Sequence, residues 1–237
     1  MNIQNHVFLS GWGFKASLWQ IFHPEISTHQ CIDMPPFSSF DFFDSSNSFE
    51  SVGKKNEEQV LQYLLRKLAK AEAIHAWSHS GLWVLRLIQQ NKLDVKNKNI
   101  YCYGLPLLWQ FASDEKKQAF IRQYESNPKR LSQKFLKLVA FPEVDRLKLI
   151  ESYCLLADAG EHYGQLNYLK WMFAFTEIMP ITDAIALCEK TGVTVFLAEN
   201  DAIVDSLSLV KLLNSELTKN LSHLGLLDLA VHEVSAC

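Results

Sequence analysis

Short apolar runs alternate with longer amphipathic segments along most of the chain. The runs are rich in β-branched and aromatic residues and end at turn formers, which predicts buried strands over 6–9, 30–33, 73–77, 100–103 and 193–198. Between these strands, apolar residues recur at helical spacing over 56–70, 81–90 and 206–217. Strands separated by helices in this way predict an α/β fold with a mostly parallel central sheet.

The alternation stops after Pro106. From Leu107 to Pro180 the pattern is helical, and a strand returns only at Val193. A long helical stretch between two strands of one sheet is typical of an inserted lid. We therefore predict a core made of residues 1–106 and 181–237, with a helical cap formed by residues 107–180.

The composition argues against several classes of protein. Of the 237 residues 48% are hydrophobic and 21% are charged, and the net charge is −3. Without a basic excess we expect no nucleic-acid partner, and without a long apolar run we expect no membrane span. The five cysteines are widely spaced and form no C-x-x-C pair, so neither a disulfide framework nor a zinc site is expected. We expect a reduced cytoplasmic monomer with no cofactor.

One segment has the pattern of a reactive serine. Ser78 follows a predicted strand and precedes a predicted helix, and the residues two before and two after it are the small Ala76 and Ser80. A sharp strand-to-helix turn exposes such a hydroxyl above the sheet, and crowding at the turn requires small neighbours. Both positions are usually glycine. The competing interpretation is that Ser78 only caps the following helix.

An aspartate and a histidine follow Ser78 in the order expected for a catalytic triad. Asp201 comes just after the strand predicted over 193–198, and His232 lies beyond the apolar run 224–229. The chain order Ser, Asp, His is that of one hydrolase fold, whereas other serine-hydrolase folds use different orders. Taken alone, His232 would be interpreted as a surface residue. With Ser78 and Asp201 it completes a predicted nucleophile, base and acid.

The tetrahedral intermediate of such a reaction needs two backbone N–H donors. We predict one donor from His79, the residue after Ser78, and the other from Trp12 in the loop after the first strand. Gly11 lets that loop approach the substrate, and Trp77 flanks the nucleophile. His75 lies on the strand before Ser78 and is interpreted as a packed core residue.

Together these segments resemble the α/β-hydrolases, and more narrowly the pimeloyl-acyl-carrier-protein methyl ester carboxylesterases of biotin synthesis. The H-G-W-G-x loop of that family is matched by Ser10–Phe14, its D-x-P-G-F loop by Asp33–Phe37 and its G-W-S-x-G turn by Ala76–Ser80. Its D-x-x-V-P segment is similar to residues 201–204, and its A-x-H segment to residues 230–232.

The resemblance has departures. Ser10 replaces the loop histidine, Ala76 and Ser80 replace both glycines of the turn, and His79 stands where an apolar residue is common. The first predicted strand leads directly into the oxyanion loop, and the chain ends five residues after His232. Relative to the usual sheet of that fold, we therefore expect one of about six strands that is shortened at both ends.

The predicted cap carries a basic stretch. Residues 112–150 hold nine basic and five acidic residues, a net charge of +4, so the rest of the chain carries −7. Arg130, Lys134 and Lys137 fall on one helical face. The resemblance implies that an acyl carrier protein docks here, with contributions from Arg122 and Arg146; the plainer alternative is a solvated helix face.

The sequence therefore predicts a serine carboxylesterase that hydrolyses the methyl ester of pimeloyl-acyl carrier protein. Two alternatives stay open. One is a general short-chain esterase or thioesterase of the same fold, and the other is a catalytically silent binding protein with this fold, suggested by the missing glycines of the turn. The aromatic residues of the cap are interpreted as its own core rather than as a binding slot.

Overall fold

The computed structural model describes residues 5–35, 49–108, 113–156, 158, 162–213 and 217–229. Six strands in this part of the chain form one parallel sheet, in the spatial order β2-β1-β3-β4-β5-β6. The predicted α/β class and the predicted strand number are both confirmed. The strands are β1 (His6–Leu9), β2 (Cys31–Ile32), β3 (Ala73–Trp77), β4 (Asn99–Tyr103), β5 (Thr194–Ala198) and β6 (Leu217–Thr218).

Helices follow or precede each strand of the sheet. They are α1 (Trp19–Phe22), α2 (Phe49–Leu68), α3 (His79–Gln89), α4 (Asp114–Ser126), α5 (Pro128–Ala140), α6 (Leu147–Glu151), α7 (His162–Ile178), α8 (Ile181–Thr191) and α9 (Ser206–Leu213). All five residues of β3 are buried, which is typical of a central parallel strand covered on both faces. The helix that follows it, α3, buries nine residues and packs against β3.

The helices between β4 and β5 begin with α4, and we call the stretch from α4 to α7 the helical insert. Two local signals fix its first helices: the Ser113 hydroxyl accepts a hydrogen bond from the N–H of Lys116, and the Asn127 side chain accepts one from the N–H of Arg130. Pro128 occupies the first turn of α5, where its missing N–H costs nothing. The division into core and cap at residues 107 and 180 stays a prediction.

The loop after β1 is bonded to the helical insert. The N–H of Lys15 donates to the carbonyl of Tyr153, and the N–H of Leu155 donates to the carbonyl of Gly13 at 2.7 Å. The ring of Trp12 lies against the insert, 4.9 Å from that of Phe135, and both are buried. The insert therefore fixes the position of this loop.

A row of stacked rings crosses the sheet at His75. The imidazole lies between Phe8 and Tyr101, its partners in register on the adjacent strands, with ring centroids 4.5 and 5.0 Å away. His75 is wholly buried, as predicted, and its Nδ1 lies 3.0 Å from the hydroxyl of Tyr103. Burial, reinforced by the nearby His6 and His23, lowers the pKa of His75 to about 3.

The structure differs from the sequence prediction near the C-terminal end of the described chain. The helix predicted over 206–217 ends at Leu213, and Leu217 belongs to strand β6, so that prediction was wrong. Two residues are too few to produce a readable alternation of apolar and polar positions. The apolar run 224–229 contains a short 3-10 turn over Gly225–Asp228. In the described ranges, no helix is both long and apolar enough to cross a membrane.

Candidate active site

Ser78 occupies a strained turn between β3 and α3. Its backbone has φ +58° and ψ −127°, a left-handed conformation that residues with a side chain rarely adopt. Its N–H donates to the carbonyl of Tyr103 at the end of β4, at 2.7 Å, and its side chain makes no capping hydrogen bond to α3. The geometry thus disfavours the interpretation of Ser78 as a simple helix cap.

The neighbours of Ser78 fit the crowded turn without glycine. Ala76 and Ser80 are both wholly buried, and the Ser80 hydroxyl donates to the carbonyl of Trp77 at 2.9 Å. The position with almost no room for a side chain is Gly81, where a Cβ would lie 2.6 Å from Leu105. The glycine that allows α3 to pack closely on the sheet is therefore at position 81, one residue after the position of the second glycine in the usual motif.

Asp201 is fixed at the carboxyl end of β5 and pairs with a histidine. Its Oδ1 accepts hydrogen bonds from the N–H groups of Ile203 and Val204, at 2.8 and 2.9 Å. Its Oδ2 lies 2.7 Å from the Nδ1 of His223. A carboxylate has no proton to give, so Nδ1 carries the proton and Nε2 is left as the basic nitrogen. Both side chains are almost completely buried, at 0% and 1% exposure.

His223 lies at the same end of the sheet as Ser78. Its carbonyl accepts a hydrogen bond from the indole Nε1 of Trp77, and the two rings are 5.5 Å apart. Its imidazole also covers Gly104, where a Cβ would lie only 2.6 Å from Cε1. Because Gly104 follows Tyr103, to which Ser78 is bonded, these contacts bring Ser78, Asp201 and His223 to one edge of the sheet.

The predicted base, His232, lies outside the described residues, and the histidine that the structure pairs with Asp201 is His223. His223 follows strand β6 and lies in a turn. No sequence signal identified this position, because β6 is only two residues long and shows no readable alternation. The apolar run 224–229, which precedes the predicted base His232, follows the histidine that pairs with Asp201.

The loop after β1 packs closely against Trp77, the residue before Ser78. A Cβ on Gly11 would lie 2.7 Å from the indole of Trp77, so only glycine allows this contact. The Trp12 indole donates to the carbonyl of Gln165 at 2.8 Å, and the N–H of Gly13 donates to the side chain of the same glutamine at 3.1 Å. Trp12 and Trp77 are buried, so their side chains serve packing.

A cavity of about 230 Å³ opens beside this loop. Gly11 and His79 line it, as does Ser10, which stands at the position of the loop histidine in the resembling family. His79 begins α3, so its N–H has no partner within the helix. The remaining walls are a mixture of apolar and polar side chains, namely Phe14, Lys15, Asp33, Met34, Leu155, Gln165 and Tyr168.

The imidazole of His79 is buried and neutral. It is 1% exposed, it makes an edge contact with Tyr168, and neither of its ring nitrogens has a hydrogen-bond partner among the described residues. Burial lowers the pKa of His79 to about 3. The imidazole of His79 therefore adds hydrogen-bonding atoms but no positive charge to the cavity wall at neutral pH, whereas Lys15 and Asp33, which also line the cavity, are ionisable side chains.

The basic residues predicted to dock a carrier protein fall into two groups. Arg122, Arg130, Lys134 and Lys137 are exposed on α4 and α5. Arg146 instead forms ion pairs with Glu143 and Asp228, at 3.0 and 2.7 Å, and lies over the ring of Phe22. Within the described part of the chain, no cluster of three His, Cys, Asp or Glu side chains could hold a metal ion.

The comparisons with known proteins bear on the fold. No family model matches the sequence, and no curated protein matches it. Among solved structures, the chain is similar to a hydrolase from Oleispira antarctica, with a TM-score of 0.64 and 13% sequence identity. The match covers 99% of this chain and 92% of that one. Together with the parallel six-stranded sheet and the strained turn at Ser78, this likeness shows that the chain has the α/β-hydrolase fold.

Proposed function

We propose that the protein is a serine hydrolase that cleaves carboxylic esters. Ser78 is the nucleophile, His223 the general base and Asp201 the carboxylate that orients it. The observation that carries the proposal is the buried Asp201–His223 pair at the sheet edge where the strained turn presents Ser78. Strained backbone conformations are found more often at active sites and ligand-binding sites than elsewhere.

The proposed reaction has two halves. Nε2 of His223 takes the proton of the Ser78 hydroxyl as its oxygen attacks the ester carbonyl, while Asp201 stabilises the imidazolium that forms. The backbone N–H groups of Trp12 and His79 donate to the developing oxyanion. The tetrahedral intermediate collapses when His223 returns the proton to the departing alcohol. Water then attacks the acyl-enzyme by the same route, releasing the acid and restoring Ser78.

The proposed substrate is the methyl ester of pimeloyl-acyl carrier protein, from which hydrolysis releases methanol. The resemblance of the sequence motifs to that esterase family suggests it. The cavity offers apolar walls to an acyl chain in Phe14, Met34 and Leu155, and the neutral His79 adds no charge there. The ionisable side chains of its lining are Lys15 and Asp33.

The proposed docking surface for the acidic carrier protein consists of Arg122, Arg130, Lys134 and Lys137. Among the ion pairs of the described residues, none engages these four side chains, so their charge is available to a partner. Such a surface would raise the association rate by electrostatic steering, and the effect would weaken as salt is added. Arg146 is left out because its guanidinium is already paired within the molecule.

The catalytic assignment is tested with a small aryl ester and a fluorophosphonate that labels activated serines. Ser78→Ala should lower kcat by about 10⁴-fold or more and abolish labelling. Ser80→Ala is the matched control, since it removes a hydroxyl two residues away that is bonded to a carbonyl. Hydrolysis that persists unchanged in Ser78→Ala would favour a silent binding protein.

Two histidine variants separate the candidate bases. His223→Ala should reduce kcat by about the same factor as Ser78→Ala, because the two act as a unit. His232→Ala should leave kcat within about twofold, because the proposal gives this side chain no role in the reaction. The opposite result would assign the base to His232.

Substrate choice is tested by comparing carrier-bound pimeloyl methyl ester with the aryl ester. Combined charge reversal by Arg130→Glu and Lys134→Glu should raise KM for the carrier-bound ester about tenfold and leave the aryl ester unchanged. Lys190→Glu, on the exposed face of α8, is the control for loss of a positive charge elsewhere. Equal efficiency of the wild-type protein on both esters would instead identify a general short-chain esterase.

A further inference from the structure

The turn that carries His223 is bonded directly to the helical insert. The N–H of Leu224 donates to the carbonyl of Val139 in α5, at 3.1 Å. Both the N–H and the hydroxyl of Ser222 donate to Oε1 of Glu143, at 3.3 and 2.7 Å. The residues on either side of His223 are thus each held by the insert.

Glu143 is itself fixed from two directions. Its Oε2 lies 3.0 Å from Nε of Arg146, whose Nη1 in turn bonds Asp228 at 2.7 Å. Its Oε1 approaches Gly225 so closely that a Cβ there would lie 2.6 Å away. The Ser222 hydroxyl also accepts the N–H of Gly225, at 2.8 Å, which closes the turn around His223.

The carboxylate of Glu143 is well placed to act through Ser222. Ser222 is wholly buried and His223 almost so, whereas the Glu143 side chain is 20% exposed. Hydrogen bonds to an ionised carboxylate are stronger than neutral ones, and they hold their donors more rigidly when water is excluded. Glu143 is not among the residues that line the cavity beside Ser78.

We propose that Glu143 is a positioning residue that holds the His223 imidazole in line with Ser78, acting through Ser222. This inference rests on the proposed function, in which His223 is the base. It makes the helical insert a support for the base as well as a cover over the cavity. A base displaced by about 1 Å can lower a rate by about 100-fold, although every reacting group is still present.

The test compares Glu143→Ala with Glu125→Ala, which removes a different carboxylate of the insert that pairs with Lys170. For the aryl ester, Glu143→Ala should lower kcat by about 10- to 100-fold with KM within about twofold, and Glu125→Ala should change neither. Glu143→Gln keeps the acceptor oxygen without the charge, so its kcat should fall between those of the wild type and Glu143→Ala. Ser222→Ala should reproduce the loss in kcat.

The decisive arm repeats Glu143→Ala in a His223→Ala background. A residue that acts only by placing the base should have no further effect on the residual rate once the base is gone. Equal fractional losses in the two backgrounds would overturn the proposal, as would unchanged kcat in both Glu143→Ala and Ser222→Ala. If Glu143→Ala does not fold, Glu143→Gln and Ser222→Ala are compared in the same two backgrounds.

Failure of the underlying hydrolase proposal has a separate signature. In that case the wild-type protein shows no Ser78-dependent hydrolysis, and the positioning role falls with it. Failure of the positioning proposal alone leaves full wild-type activity, full dependence on His223 and no selective effect of Glu143.

Discussion

Acid should destabilise this protein steeply, because two buried histidines cannot be protonated in the folded state. The pKa of His79 and that of His75 are both lowered to about 3, chiefly by burial. In the unfolded chain each ring titrates near its ordinary pKa of about 6.5. Below that pH the unfolded state binds more protons than the folded state, so the free energy of unfolding falls as pH falls.

The size of the effect follows from linkage. At pH 5 both rings are neutral in the folded protein and almost fully charged in the unfolded chain. Each histidine therefore removes about 2 kcal/mol of stability between pH 7 and pH 5, and the two together remove about 4 kcal/mol. A typical domain has only about 5–15 kcal/mol in total, so this loss should be easy to measure.

Urea unfolding at pH 7 and pH 5, followed by tryptophan fluorescence, measures the loss. His79→Leu should recover about 2 kcal/mol of the pH-dependent loss, because it removes one of the two groups. At pH 7 it should be neutral or stabilising, since it replaces ring nitrogens without hydrogen-bond partners by an apolar side chain. His75→Phe should recover a similar amount, and Ser80→Ala should keep the full wild-type pH dependence.

A substitution that alters packing changes the free energy of unfolding equally at pH 7 and at pH 5. The difference between the two pH values within one variant is therefore free of that contribution. The reasoning is refuted if His79→Leu loses as much stability between pH 7 and pH 5 as the wild-type protein. A smaller loss in Ser80→Ala would show that the effect does not depend on the buried rings.

Three further changes should report on the geometry of the site. Asp201→Asn should lower kcat for the aryl ester by about 10⁴-fold with KM nearly unchanged, because the tautomer of His223 is no longer fixed; a loss under tenfold in steady-state kinetics would contradict this. Gly104→Ala should both destabilise the protein by about 1–3 kcal/mol in urea and slow fluorophosphonate labelling, since its φ is +62° and its Cβ would meet the His223 ring. Gly11→Ala should displace the Trp77 indole and lower kcat for the aryl ester. A variant with a lower melting temperature but wild-type kcat would count against a role for that contact in the site.

The turn at Ser78 and the strands and helices of the sheet could be predicted from sequence, because they depend mainly on residues close together in the chain. The turn at Ser78 is specified by a buried strand, two small neighbours and a helix, all within residues 73–89. The prediction of His75 as core followed from its position inside an apolar strand. In the same way, the alternation of strands and helices identified the parallel sheet before any contact was known.

The partner of Asp201 could not be predicted in the same way, because it depends on where the last strand ends. Leu217–Thr218 has no periodicity of its own and exists because the edge of β5 offers it hydrogen bonds. The helical spacing of apolar residues continues to Leu217, although α9 ends at Leu213 and Leu217 belongs to β6. The choice between His223 and His232 is therefore a question of packing, which a motif comparison cannot answer.

Two residues of the helical insert, Gln165 and Glu143, make contacts that a search for sequence motifs does not find. Gln165 binds the loop after β1 through its carbonyl and its side chain, and Glu143 binds the turn around His223. Neither residue belongs to a recognisable motif, and both act at a distance along the chain of more than seventy residues. The insert therefore holds two loops at once, the loop after β1 and the turn that contains His223. Where the turn at Ser78 lacks both glycines of the usual motif, these contacts are a source of rigidity that comes from outside the sheet.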